Sequence, residues 1–128
     1  MARPHAILLS PLERLQALYA ELPAIACRGL CHGACGPVMA SRLEVDRLGA
    51  AVAFHARTLS CVFLGADLRC TEYDRRPMIC RVYGMSRGLE CAHGCVPSRW
   101  LSDAEGREFV AKAMAIGGGM VLPERVPP

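Results

Sequence analysis

Apolar residues recur at helical spacing in three stretches, and each stretch opens with a Ser followed three residues later by Glu. In that pairing the two side chains reciprocally cap free backbone N–H groups, so it marks a helix start. Ser10 and Glu13, with Pro11 in the opening turn, precede Leu12, Leu15, Leu18 and Leu22, and Pro23 stops the pattern. Ser41 and Glu44 open a second helix, predicted from about Arg42 to His55, with Val45, Leu48, Val52 and Ala56 on one stripe. Ser102 and Glu105 open a third, carrying Phe109, Val110, Ala113, Met114 and Ile116 up to Gly117-Gly118-Gly119, where glycine can close a helix in the left-handed conformation.

Between the second and third helices the period changes. Cys61-Val62-Phe63-Leu64 and Leu68-Arg69-Cys70 flank Gly65-Ala66-Asp67, a turn composition, and a short hairpin there brings Cys61 and Cys70 close together. Pro77 can start a further short helix from Met78 to Tyr83, after which Gly84, Gly88 and Gly94 indicate loop. The stretch from Met120 to Pro128 holds three prolines and reads as a surface tail. The expectation is a mainly α, small single domain spanning residues 1–128, with a core of about 10–119 and a short hairpin or irregular cysteine-rich segment.

Composition changes the picture in one respect. The 128 residues are 52% hydrophobic, 21% charged and only 5% aromatic, enough to collapse around Leu, Val and Ala but too short for separate cofactor and substrate lobes. Fifteen basic residues against twelve acidic ones give a net charge of +3, scattered rather than gathered in an arm, so nucleic acid is not an expected partner. Ala6-Ile7-Leu8-Leu9 is too short for the core of a signal peptide, and no apolar run approaches the roughly 18 residues that span a bilayer. These features predict a soluble, cytoplasmic protein without a membrane partner. The eight cysteines then matter most, because thiols stay reduced in such a compartment and serve more readily as metal ligands than as disulfides.

Cys27, Cys31 and Cys35 stand at four-residue intervals, interrupted by Gly29, Gly33 and Gly36, which favours a loop wrapped round an ion over a regular helix. Cys61, Cys70 and Cys80 follow, and then Cys91 and Cys95. Cys31-His32-Gly33-Ala34-Cys35 and Cys91-Ala92-His93-Gly94-Cys95 echo each other. Thiolates at this density suit zinc or an iron-sulfur cluster, as two sites of four ligands or one site with supporting residues. No Cys-x2-Cys of the usual zinc ribbon is present.

The stretch Cys70-Thr71-Glu72-Tyr73-Asp74-Arg75-Arg76-Pro77-Met78-Ile79-Cys80-Arg81-Val82-Tyr83 resembles the Cys-x2-Tyr-x2-Arg-Pro-x2-Cys-Arg-x-Phe signature of the YkgJ-type cysteine-cluster proteins, a bacterial family of zinc- or iron-chelating domains. Cys61-x-Phe63-Leu64 and the cluster at Cys27, Cys31 and Cys35 stand in the order that family has. The resemblance covers about Cys27 to Tyr83 and implies a metal-chelating role. One departure is that the family's first cluster ends in two adjacent cysteines, whereas Gly36 follows Cys35. A ligand is then lost or moved, with Cys91 or Cys95 as its substitute.

Physical chemistry assigns roles to the residues around Cys80 as well. Placed near a helix N-terminus behind Pro77, its thiol is favoured as a thiolate. Arg76 and Arg81 bracket it as cofactor-binding residues, offsetting the negative charge of a thiolate centre, unless Arg76 instead pairs with Asp74 or Glu72. His32 and His93, inside the brackets, are secondary candidates as ligands, while His5 and His55 have no companion. Trp100 reads as a packing anchor, and Met78, Met85, Met114 and Met120 as gap fillers.

The expected function is therefore a metal-binding protein with metal ligands Cys27, Cys31, Cys35, Cys61, Cys70, Cys80, Cys91 and Cys95. Zinc is the preferred metal and an iron-sulfur cluster the alternative, in a structural, electron-transfer or metal-handling role. At least one cysteine of the first group is expected to share a site with Cys61, Cys70 or Cys80. A small enzyme or accessory subunit for methyl transfer or redox chemistry is a second reading, although no nucleotide loop and no base beside a nucleophile is visible. A zinc-dependent nucleic-acid adaptor is a third, disfavoured by the absence of aromatic interleaving.

Overall fold

The three Ser/Glu signals all form capping boxes in the computed structural model, which describes residues 9–27, 36–50 and 52–127. Helix α1 spans Pro11–Ala20, α2 Arg42–Leu48 and α4 Asp103–Ile116; a fourth, α3, spans only Met78–Val82. Ser10, Ser41 and Ser102 each accept a hydrogen bond from the backbone N–H of their Glu partner, whose carboxylate accepts one back.

Four short strands join these helices among the described residues. Strand β1, Ala40–Ser41, pairs antiparallel with β3, Met120–Val121; β2, Ala53–His55, pairs in parallel with β4, Glu124–Val126. The domain is thus mixed α/β and not mainly α, a correction with two local causes. First, α2 stops at Leu48 and not near His55, because Gly49 adopts the left-handed conformation at φ +77° and its N–H closes the helix on the Asp46 carbonyl. Residues released from the helix then form β2. Second, the stretch from Met120, read from its prolines as a tail, supplies a partner strand to each earlier segment.

Two apolar clusters hold these elements. The larger packs Leu15 and Leu18 of α1 and Met78 and Val82 of α3 with Met85, Leu101 and Ala113. Complete burial of Leu15, Met78 and Leu101 contributes about 1.5–3 kcal/mol each before entropy is counted. The smaller cluster, Ala40, Leu48 and Val52 with Cys61 and Phe63 against it, lies beside the cysteine-bearing loop.

The approach of α4 to β1 depends on one glycine. Gly117 ends α4 directly over Ser41, and a Cβ at that position would lie 2.1 Å from the Ser41 Oγ and 2.4 Å from its Cβ. Only glycine permits this approach, which hydrogen bonds from Leu43 N–H to the Gly117 carbonyl and from Arg42 N–H to the Gly119 carbonyl secure. The left-handed residues at this helix end are Gly118 and Gly119; Gly117 itself has a negative φ.

Candidate metal centre

Three separate segments bring Cys27, Cys80, Cys91 and Cys95 to the wall of one cavity of about 250 Å³. Cys27 follows a segment pinned to the far end of the last bracket. Ile25 bridges Pro97, the Ser98 N–H donates to the Ala24 carbonyl at 2.7 Å, and the Ala24 N–H donates to the Ser98 Oγ at 3.2 Å. These bonds set Cys27 opposite Cys95, the first exposed and the second only 8% exposed.

Cys91 enters through a turn. Gly84, at φ +85°, donates its N–H to the Leu89 carbonyl at 2.7 Å, and a Cβ there would stand 3.8 Å from the Cβ of Cys91. The bracket itself is folded around the Cys91 sulfur. The His93 N–H donates to Cys91 Sγ at 3.4 Å, and the Gly94 N–H to the Cys91 carbonyl at 3.2 Å, with Gly94 left-handed. An amide aimed at sulfur stabilises the thiolate form, so here His93 supports the thiol through its backbone.

Cys80 lies on α3. Met78 and Val82 point into the larger core, while Cys80, between them in sequence, borders the cavity. Pro77 occupies the N-cap and offers no side-chain acceptor. That acceptor comes from Glu44 of α2, whose Oε2 receives the Met78 N–H at 2.6 Å. Glu44 is 1% exposed, and its Oε2 also accepts from the Tyr19 hydroxyl at 2.5 Å. The sequence expectation gave this carboxylate only its place in the capping box with Ser41, not its contacts with Tyr19 and Met78. A usable signal existed, since Glu44 stands four residues before Leu48 on the buried stripe of α2.

Arg76 and Arg81 both line the cavity, each tied down by backbone carbonyls. Arg76 lies 3.8 Å over the Tyr73 ring and donates from Nε to the Tyr73 carbonyl and from Nη1 to the Cys80 carbonyl. Arg81 lies 3.9 Å over the Tyr19 ring, with Nε and Nη2 on the carbonyls of Arg76 and Asp74. The alternative ion pair of Arg76 with Asp74 or Glu72 is not the one formed: Arg75 takes Glu72, at 2.7 Å. Burial lowers the pKa of Arg81, and burial together with the Glu44 hydrogen bond pushes that of Tyr19 far up, so this wall holds a neutral phenol beside a cation.

A second cavity, of about 360 Å³, adjoins the first through Cys80 and is bordered by Cys61 and Cys70. The loop between those two closes narrowly, with Leu64 bridged to Cys70 and the Thr71 N–H donating to the Phe63 carbonyl at 2.8 Å. Its wall is otherwise largely apolar, including Val52, Phe63 and Ile79. Burial pushes the Cys61 thiol up, and the neighbouring Cys70 adds to that effect.

Cys27 therefore shares a cavity with Cys80, and Cys61 and Cys70 share another with it. Cys31, Cys35 and His32 lie outside the described residues. No disulfide joins any two of the six described cysteines. Among the described residues no three Cys, His, Asp or Glu side chains already converge closely enough to hold one ion, and no helix is long and apolar enough to cross a membrane. Comparison of the chain with family models, curated proteins and solved structures finds no match, so a functional reading rests on the arrangement of its own side chains.

Proposed function

We propose that this protein binds a soft metal through cysteine thiolates, in a reducing compartment, with Cys27, Cys80, Cys91 and Cys95 as the principal centre. The observation that carries this reading is the meeting of four cysteines from three segments at one cavity that two guanidinium groups also line. Packing alone gives no reason for thiols from such distant positions to gather there, and thiolate donors suit zinc or iron-sulfur centres. The donor set fits such a centre. A cation would draw the sulfurs together, and its binding energy would add to that of folding.

Cys31 and Cys35 belong to this proposal through their spacing from Cys27, and Cys61 and Cys70 as a second thiol pair reaching Cys80. Arg76 and Arg81 offset the negative charge that several thiolates around one metal carry. Zinc remains the preferred metal, because four thiolates bind it without any cluster assembly. The role is structural, electron-transferring or metal-handling.

Elemental analysis of protein purified without air, joined with its visible spectrum, tests the reading. Zinc in at least equimolar amount in a colourless protein is the expected result, and a brown protein containing iron and sulfide would establish the alternative metal. Protein that neither retains nor takes up either metal would overturn the proposal.

A further inference from the structure

We propose that Glu44 is a positioning residue for the thiol cavity: one buried carboxylate fixes both the turn that carries Cys80 and the phenol on which Arg81 lies. This rests on the metal-binding reading above. Three N–H and O–H donors from separate parts of the chain converge on it. The Ser41 N–H reaches Oε1 at 3.0 Å, and the Tyr19 hydroxyl and the Met78 N–H reach Oε2 at 2.5 Å and 2.6 Å. A carboxylate this deeply buried is costly unless its lone pairs are filled, and here donors fill both oxygens.

The capping box at the start of α2 needs only Oε1. The second oxygen holds the first amide of α3, a five-residue helix whose own N-cap, Pro77, has no acceptor side chain. Cys80 sits two residues beyond that amide. The same oxygen fixes the Tyr19 ring, and the Arg81 guanidinium lies on that ring at 3.9 Å. A shift of the Glu44 carboxylate therefore moves a sulfur and a cation of the cavity wall together. Glutamine in its place keeps the volume but turns an NH2 group against at least one of these donors.

The experiment compares wild type, Glu44→Gln and Tyr19→Phe as reduced, metal-free proteins. Alkylation of Cys80 and Cys61 is followed peptide by peptide by mass spectrometry, and zinc affinity is measured by competition with a chromophoric chelator. Glu44→Gln is expected to speed alkylation of Cys80 about tenfold, leave Cys61 unchanged, and weaken zinc binding about tenfold. Tyr19→Phe, which retains the ring and loses one donor, should shift both readouts the same way by a few-fold, and it carries the test if Glu44→Gln does not fold. Equal acceleration at Cys61 and Cys80 would mean general loosening and overturn the proposal, as would unchanged Cys80 reactivity. Selective exposure of Cys80 in a protein whose wild type binds no zinc would uphold the positioning role and sink the metal reading instead.

Discussion

Cys80 belongs to two cavities that share Tyr73, Arg76 and Tyr83 and differ in the rest of their walls. On one side stand Cys27, Cys91 and Cys95 with Arg81 and the Tyr19 phenol; on the other, Cys61 and Cys70 face Val52, Phe63 and Ile79. An amide is aimed at the Cys91 sulfur on the first side, whereas burial pushes the Cys61 thiol up on the second. A shared residue type therefore does not mean a shared environment. On the proposed reading the first cavity is the principal centre, and the second pair of thiols joins a centre already formed.

The largest effect that can break this comparison comes from the cysteine common to both sides. Cys80→Ser should abolish stoichiometric metal binding and lower the melting temperature by about 10 °C or more, as a loss of about 3 kcal/mol would in a domain of this size. Retention of metal by this variant would show that the cavities work independently. Cys95→Ser should act in the same direction but more mildly, with partial metal loss, because Cys95 touches only the first cavity. Equal loss in the two variants, by metal content and melting, would erase the ranking.

A smaller effect separates the walls by pH. Burial and the Glu44 hydrogen bond raise the Tyr19 pKa above its ordinary value of 10.0, so the folded state keeps the phenol proton that the unfolded chain releases first. The stability this contributes is fully present below that pH and is lost as pH rises above it. Melting curves of Tyr19→Phe should therefore fall less steeply than wild type on the alkaline side, and parallel curves would refute the assignment. The smallest effect is at Cys61, whose alkylation in metal-free protein should reach half its maximal rate at a higher pH than that of a thiol in a short unfolded peptide. An ordinary profile would remove the contrast between the two sides.

Local signals were legible in the sequence where partners are three or four residues apart. All three capping boxes form and α4 ends at Ile116 just before the predicted glycines, whereas the hairpin expected between Cys61 and Cys70 is reduced to an isolated Leu64–Cys70 bridge, with both cysteines bordering one cavity. Long-range pairing was not legible. Strands of two or three residues carry no measurable alternation, and β2 and β4 are joined across about seventy residues, so nothing near Ala53 announces Glu124. The burial of Glu44 belongs to the same class, because it depends on Tyr19 and Met78 arriving from distant helices. Its role in the capping box was visible; its second oxygen was not.

Pairing of β3 and β4 with segments near residues 40 and 54 has a consequence for how the chain is made. A polypeptide emerging from the ribosome presents Cys27 through Cys95 before Met120–Val121 and Glu124–Val126 emerge to close the two sheets. During that interval the loop after α2, including the wall residue Val52, has no strand to pair with. Cys61 and Cys70 in that loop are thus exposed before the fold is complete, and on the proposed metal-binding reading their thiols become available to a metal before the chain closes.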